Sequence, residues 1–281
     1  MLVDVMVTTF NEADPTEQRT GTDRAGDGRS GGDVATWRCR YGMGAGLWAA
    51  GGRHVVEDDR WLAISGVGDV GSNQALVWSG EPGRIDSTVE DLLAAGVPGV
   101  VNLAGPALGW AQVMVDRSWV CVGALPFMRG RCDTLRLGAF DRRVRRLEEQ
   151  DLAAGRALLG QAFGWTDEAT EVALGVRAVD TTSASGFWGL EEDGELVAVA
   201  GLPVDGSSAT LFSMACSPRH QGRGFGRSLL GSALQRVAEE GVGEVLLTAS
   251  DSGLPLYRSM GFSMVEYWQR WSRPRWMMSP T

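Results

Sequence analysis

Apolar and polar positions change rhythm along this chain, and the clearest rhythm lies in its second half. Gly186 to Glu191, Glu195 to Leu202 and Ala209 to Cys216 are short apolar runs, punctuated by Asp193-Gly194 and by a turn over Val204 to Ser208. That punctuation predicts three strands of an antiparallel meander. Phe225, Leu229, Ala233 and Val237 then recur every fourth residue with Leu230 and Leu234 beside them, one face of a helix that ends near Gly241. A strand over Glu244 to Thr248, a short helix over Leu254 to Met260 and a strand pair from Phe262 to Trp271 follow. Upstream, the pattern predicts a strand over Asp141 to Leu147, a helix over Gln150 to Phe163 and a polar helical stretch over Asp167 to Val176. The expected fold class is mixed α/β (α+β), a mostly antiparallel central sheet flanked by helices, with one central crossover helix.

The first half repeats part of this plan. A strand over Ala75 to Trp78, helical residues ending in Leu92-Leu93-Ala94-Ala95-Gly96, a strand over Val100 to Leu103 and a further strand from Trp119 to Leu125 follow the order seen from Val237 to Phe262. Gly96 aligns with Gly241 and Trp119 with Phe262. Two explanations stand side by side: a tandem duplication with a degenerate first copy, and the ordinary likeness of any two α/β segments. The expected organisation is a flexible arm over 1–35, a degenerate domain over 36–130 and a complete copy over 140–281. Tyr41-Gly42-Met43-Gly44-Ala45-Gly46 reads as a turn between strands.

Composition narrows the function classes. The chain has 281 residues and a formal net charge of −9, which argues against a general nucleic-acid surface. Cys39, Cys121, Cys132 and Cys216 lack metal-ligand spacing and, with only His54 and His220 beside them, form no metal set; they read as reduced and structural. The charge-free stretch from Leu92 to Val115 is interrupted by Pro98, Asn102, Pro106 and Gln112, so a buried strand and loop fit better than a membrane span. No secretory signal is visible, and the expected location is the cytoplasm.

Chemistry concentrates in Ser217-Pro218-Arg219-His220-Gln221-Gly222-Arg223-Gly224-Phe225-Gly226-Arg227-Ser228. Pro218 ends a strand, and the alternating glycines let backbone N–H groups converge where a helix begins. With the helix's own free N–H groups and dipole, this makes a cradle for a pyrophosphate, and Arg223 and Arg227 can add charge. The alternative is a glycine-rich turn that holds nothing. A dinucleotide fingerprint does not fit, because the third glycine comes one residue early, and a Walker loop would need a Lys.

The set Gln221, Gly224 and Gly226, together with Leu256-Tyr257-Arg258-Ser259-Met260-Gly261-Phe262, resembles the two signatures of the GNAT superfamily of acyl-CoA-dependent N-acyltransferases, over about residues 140 to 271. The resemblance implies that backbone at Met214, Ala215 and Cys216 meets the pantetheine arm of acetyl-CoA or another short acyl-CoA. It implies further that residues 221–228 hold the pyrophosphate, that a backbone N–H near Met214 polarises the thioester carbonyl, and that Tyr257 protonates the departing thiolate. Two departures stand out. Ala209-Thr210-Leu211-Phe212-Ser213 carries no carboxylate where many members have a general base, leaving Asp167, Glu168, Asp180, Glu191 or a water chain, and Ser250 occupies the place of an Asn that often faces the cofactor. His220, on the phosphate side of the loop, reads as a surface or cofactor contact.

The expected activity is transfer of a short acyl group from acyl-CoA to a primary amine: a peptide N-terminus, a natural product or antibiotic, or a small metabolite. The alternatives are an aminoacyl-tRNA-dependent transferase of the same fold and a non-catalytic CoA-binding sensor. The expected partner is a small-molecule or peptide amine, with no nucleic acid, membrane or metal.

Overall fold

A computed structural model describes residues 33–49, 52–175 and 185–273. Helix α1 (Val34–Ala49) is followed by strands β1 (Arg53–Val56), β2 (Arg60–Ile64) and β3 (Asn73–Val77), helix α2 (Pro82–Ala94), strand β4 (Val100–Leu103), helix α3 (Ala111–Asp116) and strand β5 (Val120–Arg131). Next come β6 (Val144–Arg146), α4 (Leu152–Phe163), α5 (Asp167–Ala173), β7 (Gly186–Glu192), β8 (Glu195–Leu202) and the two-residue β9 (Val204–Asp205). The chain continues through β10 (Ser208–Cys216), α6 (Phe225–Glu239), β11 (Glu244–Thr248), α7 (Leu254–Met260) and β12 (Ser263–Ser272). The expected mixed, mostly antiparallel sheet flanked by helices is the architecture found. Of the arm expected over 1–35, residues 1–32 lie outside the described residues, and Val34 and Ala35 already belong to α1.

The strands form one sheet in the order β1-β2-β3-β4-β12-β5-β11-β10-β8-β7-β6, with β9 beside β10. Among the described residues only β3–β4 and β10–β11 run parallel, and each pair is joined by a crossover helix, α2 or α6. The middle of the sheet is shared: β5 pairs with β11 and β12, while β12 pairs with β4 and β5. Residues 263–272 therefore make one ten-residue strand rather than the expected pair, and the strand inserted beside it comes from the first half.

The sequence echo has a structural counterpart, since β3-α2-β4-α3-β5 repeats as β10-α6-β11-α7-β12. Gly96 and Gly241, with φ of 68° and 98°, follow α2 and α6 in a left-handed conformation suited to glycine. Trp119 and Phe262 each precede the long strand and donate their amide to the carbonyl five residues back, Met114 at 2.9 Å and Tyr257 at 3.0 Å.

Alternation along the strands buries both faces. Leu246 belongs to one apolar cluster, whereas its neighbours Val245 and Leu247 belong to another, and Leu76 is set apart from Ala75 and Val77 in the same way. One face packs α1, α4 and α5 against Trp61, Leu76, Phe127, Phe187 and Trp268. On the other, α6 and α7 cover the second half and α2 and α3 the first.

Helix α1 overturns the turn expected at Tyr41 to Gly46. A Cβ at Gly42 would stand 2.6 Å from Trp61 of β2, one at Gly44 2.6 Å from Thr210 of β10, and one at Gly46 2.7 Å from His54 of β1. Five strands separate β2 from β10 in the sheet. A flat sheet would place them roughly 29 Å apart, at about 4.8 Å per strand. One helix reaches both, so the sheet curls around α1, and the glycines are what let it come so close. Tyr41, Gly42, Gly44, Ala45 and Ala49 of α1 are buried, and tertiary packing overrides the low helix propensity of glycine.

Candidate functional site

The gap in the sheet begins where two strands part. β10 and β11 pair from Ser208↔Glu244 to Leu211↔Leu247 and no further. Beyond that point β11 stays with β5, through Thr248↔Phe127 and the Ala249 amide to the Pro126 carbonyl at 2.9 Å. β10 stays with β8, through Ala215↔Val199 and Cys216↔Ala198, after a bulge between Phe212 and Ala215. Ser213 sits in that bulge with φ of 48°, a left-handed conformation that is unusual for a residue other than glycine. Each strand is tied to its outer neighbour, so the gap between them stays open, and backbone groups of β10 beyond Leu211 face it without a β11 partner.

At the far end of β10 the chain makes a short 3₁₀ turn, Pro218–His220, and then the glycine loop. Gly222 and Gly224 have φ of 76° and 83°, and a Cβ at either would meet nothing within 4 Å, so both are glycines for their backbone conformation and stand open to solvent. Gly224 caps α6 without a side-chain hydrogen bond, and the first turn of the helix carries no acid. Its free N–H groups and positive dipole end therefore face an uncrowded surface. Gln221, Gly222, Arg223 and Gly224 are exposed, Phe225 is buried, and Gly226, Arg227 and Ser228 are half-buried. Arg223 lies over the Phe225 ring at 4.8 Å and reaches Glu192 at 3.4 Å, while Arg227 donates to the Ser259 hydroxyl. A Cβ on Gly226 would come within 3.2 Å of the Met214 methyl, so the start of α6 lies directly beside the β10 edge.

Tyr257 comes to the same place from α7. A Cβ at Gly253 would lie 2.9 Å from its ring, and Phe262 meets that ring edge-on at 5.8 Å, so glycine before it and phenylalanine after it fix its direction. Its hydroxyl donates to the Met214 sulfur at 3.6 Å. Burial, with a smaller contribution from Tyr41, pushes its pKa up to about 12, so the phenol keeps its proton at neutral pH. The structure thus brings together the predicted residues Met214, Gly226 and Tyr257. Ala215 points to the opposite face and is buried there. Ser250 is turned into its own loop, accepting from the Gly253 amide at 3.2 Å and meeting Ser252 at 3.1 Å.

Sequence reading missed one group at this gap. Tyr41 of α1 is buried, and its hydroxyl lies 3.0 Å from the hydroxyl of Thr248. Its ring meets Phe212 at 5.0 Å, Trp268 at 5.2 Å and Phe127 at 5.7 Å. Phe212 and Thr248 are the first residues past the last β10–β11 pair, so Tyr41 spans the apex of the gap from the face opposite α7. Burial pushes its pKa up to about 12 as well. The signal available in the sequence was the mostly apolar run from Val34 to Ala49, which the glycines disguised.

The carboxylates considered as bases do not gather here. Asp167 and Glu168 are exposed in the first turn of α5, Glu191 pairs with Arg145, and Asp180 lies outside the described residues. Glu266 of β12 is occupied by Arg38, at 2.5 Å and 2.7 Å, and by the Trp268 indole at 2.8 Å. His220 packs against Phe225 at 6.0 Å. Burial raises the pKa of the Cys216 thiol, which leaves it a poor nucleophile at neutral pH. The four cysteines are free, and among the described residues no group of three His, Cys, Asp or Glu side chains could hold a metal ion. No helix among the described residues is long and apolar enough to cross a membrane.

The first half has no such gap. β3 and β4 stay paired from Gln74↔Val100 to Val77↔Leu103, the Ala104 amide adds a bond to the Val77 carbonyl at 3.0 Å, and β2 pairs with β3 without a bulge. Glu81 caps α2 and Pro82 opens it, and Met114 stands where the second half has Tyr257.

Comparison with known proteins finds a family model and relatives that match part of this chain. Residues 151–262 match the sequence model of the Acetyltransferase (GNAT) family. N-acetyltransferase 8 from Rattus norvegicus is 30% identical over 102 residues, 33% of this chain and 46% of that protein. [Ribosomal protein bS18]-alanine N-acetyltransferase from Escherichia coli K12 is 29% identical over 122 residues, 42% of this chain and 78% of that protein. The chain spans about half the length of the first curated relatives it matches. A GCN5-related N-acetyltransferase from Kribbella flavida has the same fold, with a TM-score of 0.65 at 18% identity over 87% of this chain and 97% of that one. A GCN5-related N-acetyltransferase from Sphaerobacter thermophilus gives a TM-score of 0.57 at 15% identity, over 77% of this chain and 78% of that one.

Proposed function

We propose that this chain, whose residues 151–262 match the Acetyltransferase (GNAT) family, transfers a short acyl group, acetyl first among them, from acyl-CoA to a primary amine. The observation that carries the reading is the opening between β10 and β11 beyond Leu211, with the free start of α6 at one end and Tyr257 beside it. The pyrophosphate rests on the N–H groups of residues 221–228, with Arg223 and Arg227 adding charge. The pantetheine arm bonds along the unpaired edge of β10 at Met214 and Cys216, and a backbone N–H near the bulge polarises the thioester carbonyl.

The amine nitrogen attacks the carbonyl carbon to form the C–N bond, and the oxyanion is held by that N–H. Collapse breaks the C–S bond, and Tyr257 gives its proton to the departing thiolate. The proton lost by the amine returns to Tyr257 through solvent, so the enzyme is restored. A water chain takes the ammonium proton, since Glu266 is held by Arg38 and Glu191 by Arg145. Tandem GNAT-like halves, with 36–130 the degenerate copy and 140–281 the catalytic one, complete the proposal. The acceptor is a peptide N-terminus, an amine-bearing natural product or antibiotic, or a small metabolite, and the place of action is the cytoplasm.

The test is release of CoA thiol from acetyl-CoA across a panel of primary amines that includes alanine-starting peptides. Turnover with at least one amine is expected, and Tyr257→Phe should lower kcat roughly a hundredfold with little change in acetyl-CoA affinity. A protein that binds no acyl-CoA, or a Tyr257→Phe variant as fast as the original, contradicts the reading.

A further inference from the structure

We propose that Tyr41 sets the length of acyl chain this protein accepts, so that the first half of the chain determines donor specificity in a site built by the second. The inference rests on the acyl-CoA reading of the β10–β11 gap. The last paired residues of the two strands are Leu211 and Leu247, and the next residue on each, Phe212 and Thr248, is in contact with Tyr41. A linear ligand that enters from the start of α6 and runs along β10 past Met214 reaches its innermost point at this apex. Whatever lies beyond a thioester carbon held near the bulge at Ser213 runs towards the Tyr41 ring.

That ring is unable to give way. Trp61, Phe127, Phe212 and Trp268 surround it, with centroid separations from 5.0 to 5.9 Å, and its hydroxyl is tied to Thr248. The helix carrying it is pinned on both flanks, because Gly42 and Gly44 leave no space against Trp61 and Thr210. A methyl group needs only the opening itself, whereas several further methylenes need the volume Tyr41 occupies. Close-packed interiors resist such insertion strongly.

The two halves of the ring's role separate cleanly. Its bulk excludes long chains, and its hydroxyl holds Thr248. Tyr41→Phe keeps the bulk and should keep the preference for a short chain. Tyr41→Leu removes ring volume at the apex and should relax it.

Calorimetric titration of the full chain with acetyl-CoA and with hexanoyl-CoA reads the preference as a ratio of dissociation constants. For the unaltered protein and Tyr41→Phe, hexanoyl-CoA should bind about tenfold or more weaker than acetyl-CoA. For Tyr41→Leu the ratio should fall to roughly threefold or less. Phe212→Leu, which widens the same apex from the half-buried β10 side, is the second variant should Tyr41→Leu lose its near-ultraviolet dichroism. Equal binding of the two thioesters by the unaltered protein overturns the proposal. So does an unchanged ratio in a folded apex variant, and either result leaves the acyl-CoA reading standing. Failure to bind acetyl-CoA at all removes that reading, and the proposal with it.

Discussion

Tyr41 and Tyr257 are two buried phenols on opposite sides of one gap, and burial gives them the same electrostatic character. Each has its pKa pushed up to about 12 against an ordinary value near 10. A group whose folded pKa is raised stabilises the fold fully below its unfolded pKa, and that stability is lost as pH rises through the folded value. Their joint contribution is therefore constant from neutrality to about pH 9.5 and declines between about pH 10 and pH 12. Urea unfolding followed across that range should show the midpoint falling above about pH 10, and less steeply in Tyr41→Phe. A midpoint that falls equally in both proteins would show that Tyr41 is not buried neutral. In the proposed reaction the same shift would keep Tyr257 protonated when the thiolate leaves. Cys216, whose thiol is raised by burial, does not compete as a nucleophile.

Among the elements, the strands and helices after residue 185 were legible because their patterns are local. The Asp193-Gly194 turn, the fourfold spacing from Phe225 to Val237 and the Tyr257 to Phe262 run each define an element by themselves, and the glycine loop could be placed between β10 and α6. Other elements were not legible, β1, β2 and α3 among them, and two further cases show why. Residues 263–272 form a single strand because β5, more than 130 residues earlier, fills the place beside it. Helix α1 was hidden because three glycines in alternation suggest a turn, at a cost of about 1 kcal/mol each relative to alanine in a helix. Their purpose appears only when the sheet curls around them, and Tyr41 was lost with the helix that carries it. Gly44→Ala is the direct check. Alanine gains helix propensity of about 1 kcal/mol, but its Cβ would meet Thr210 at 2.6 Å. We expect net destabilisation of about 1–3 kcal/mol, seen as a lower Tm, because overpacking dominates. A higher Tm would mean that α1 does not press on β10.

The whole molecule repeats a plan, and of the two parallel strand pairs only β10–β11 parts before its end. Both halves have a parallel strand pair joined by a helix, and they share β5 and β12 at the centre of the sheet. In the second half β10 is bulged and tied outward to β8, which opens a gap below the free start of α6. In the first half β3 is regular, the pair with β4 is closed to its end, and an acid stands at the start of α2. Met114 stands where Tyr257 would be needed. An account that puts acyl transfer at the β10–β11 gap must therefore predict one donor site in a chain that contains the plan twice. Titration of the full chain with acetyl-CoA, with the stoichiometry read from the endpoint, tests this most directly. The account predicts one molecule bound per chain, and an endpoint of two, or no binding, would contradict it.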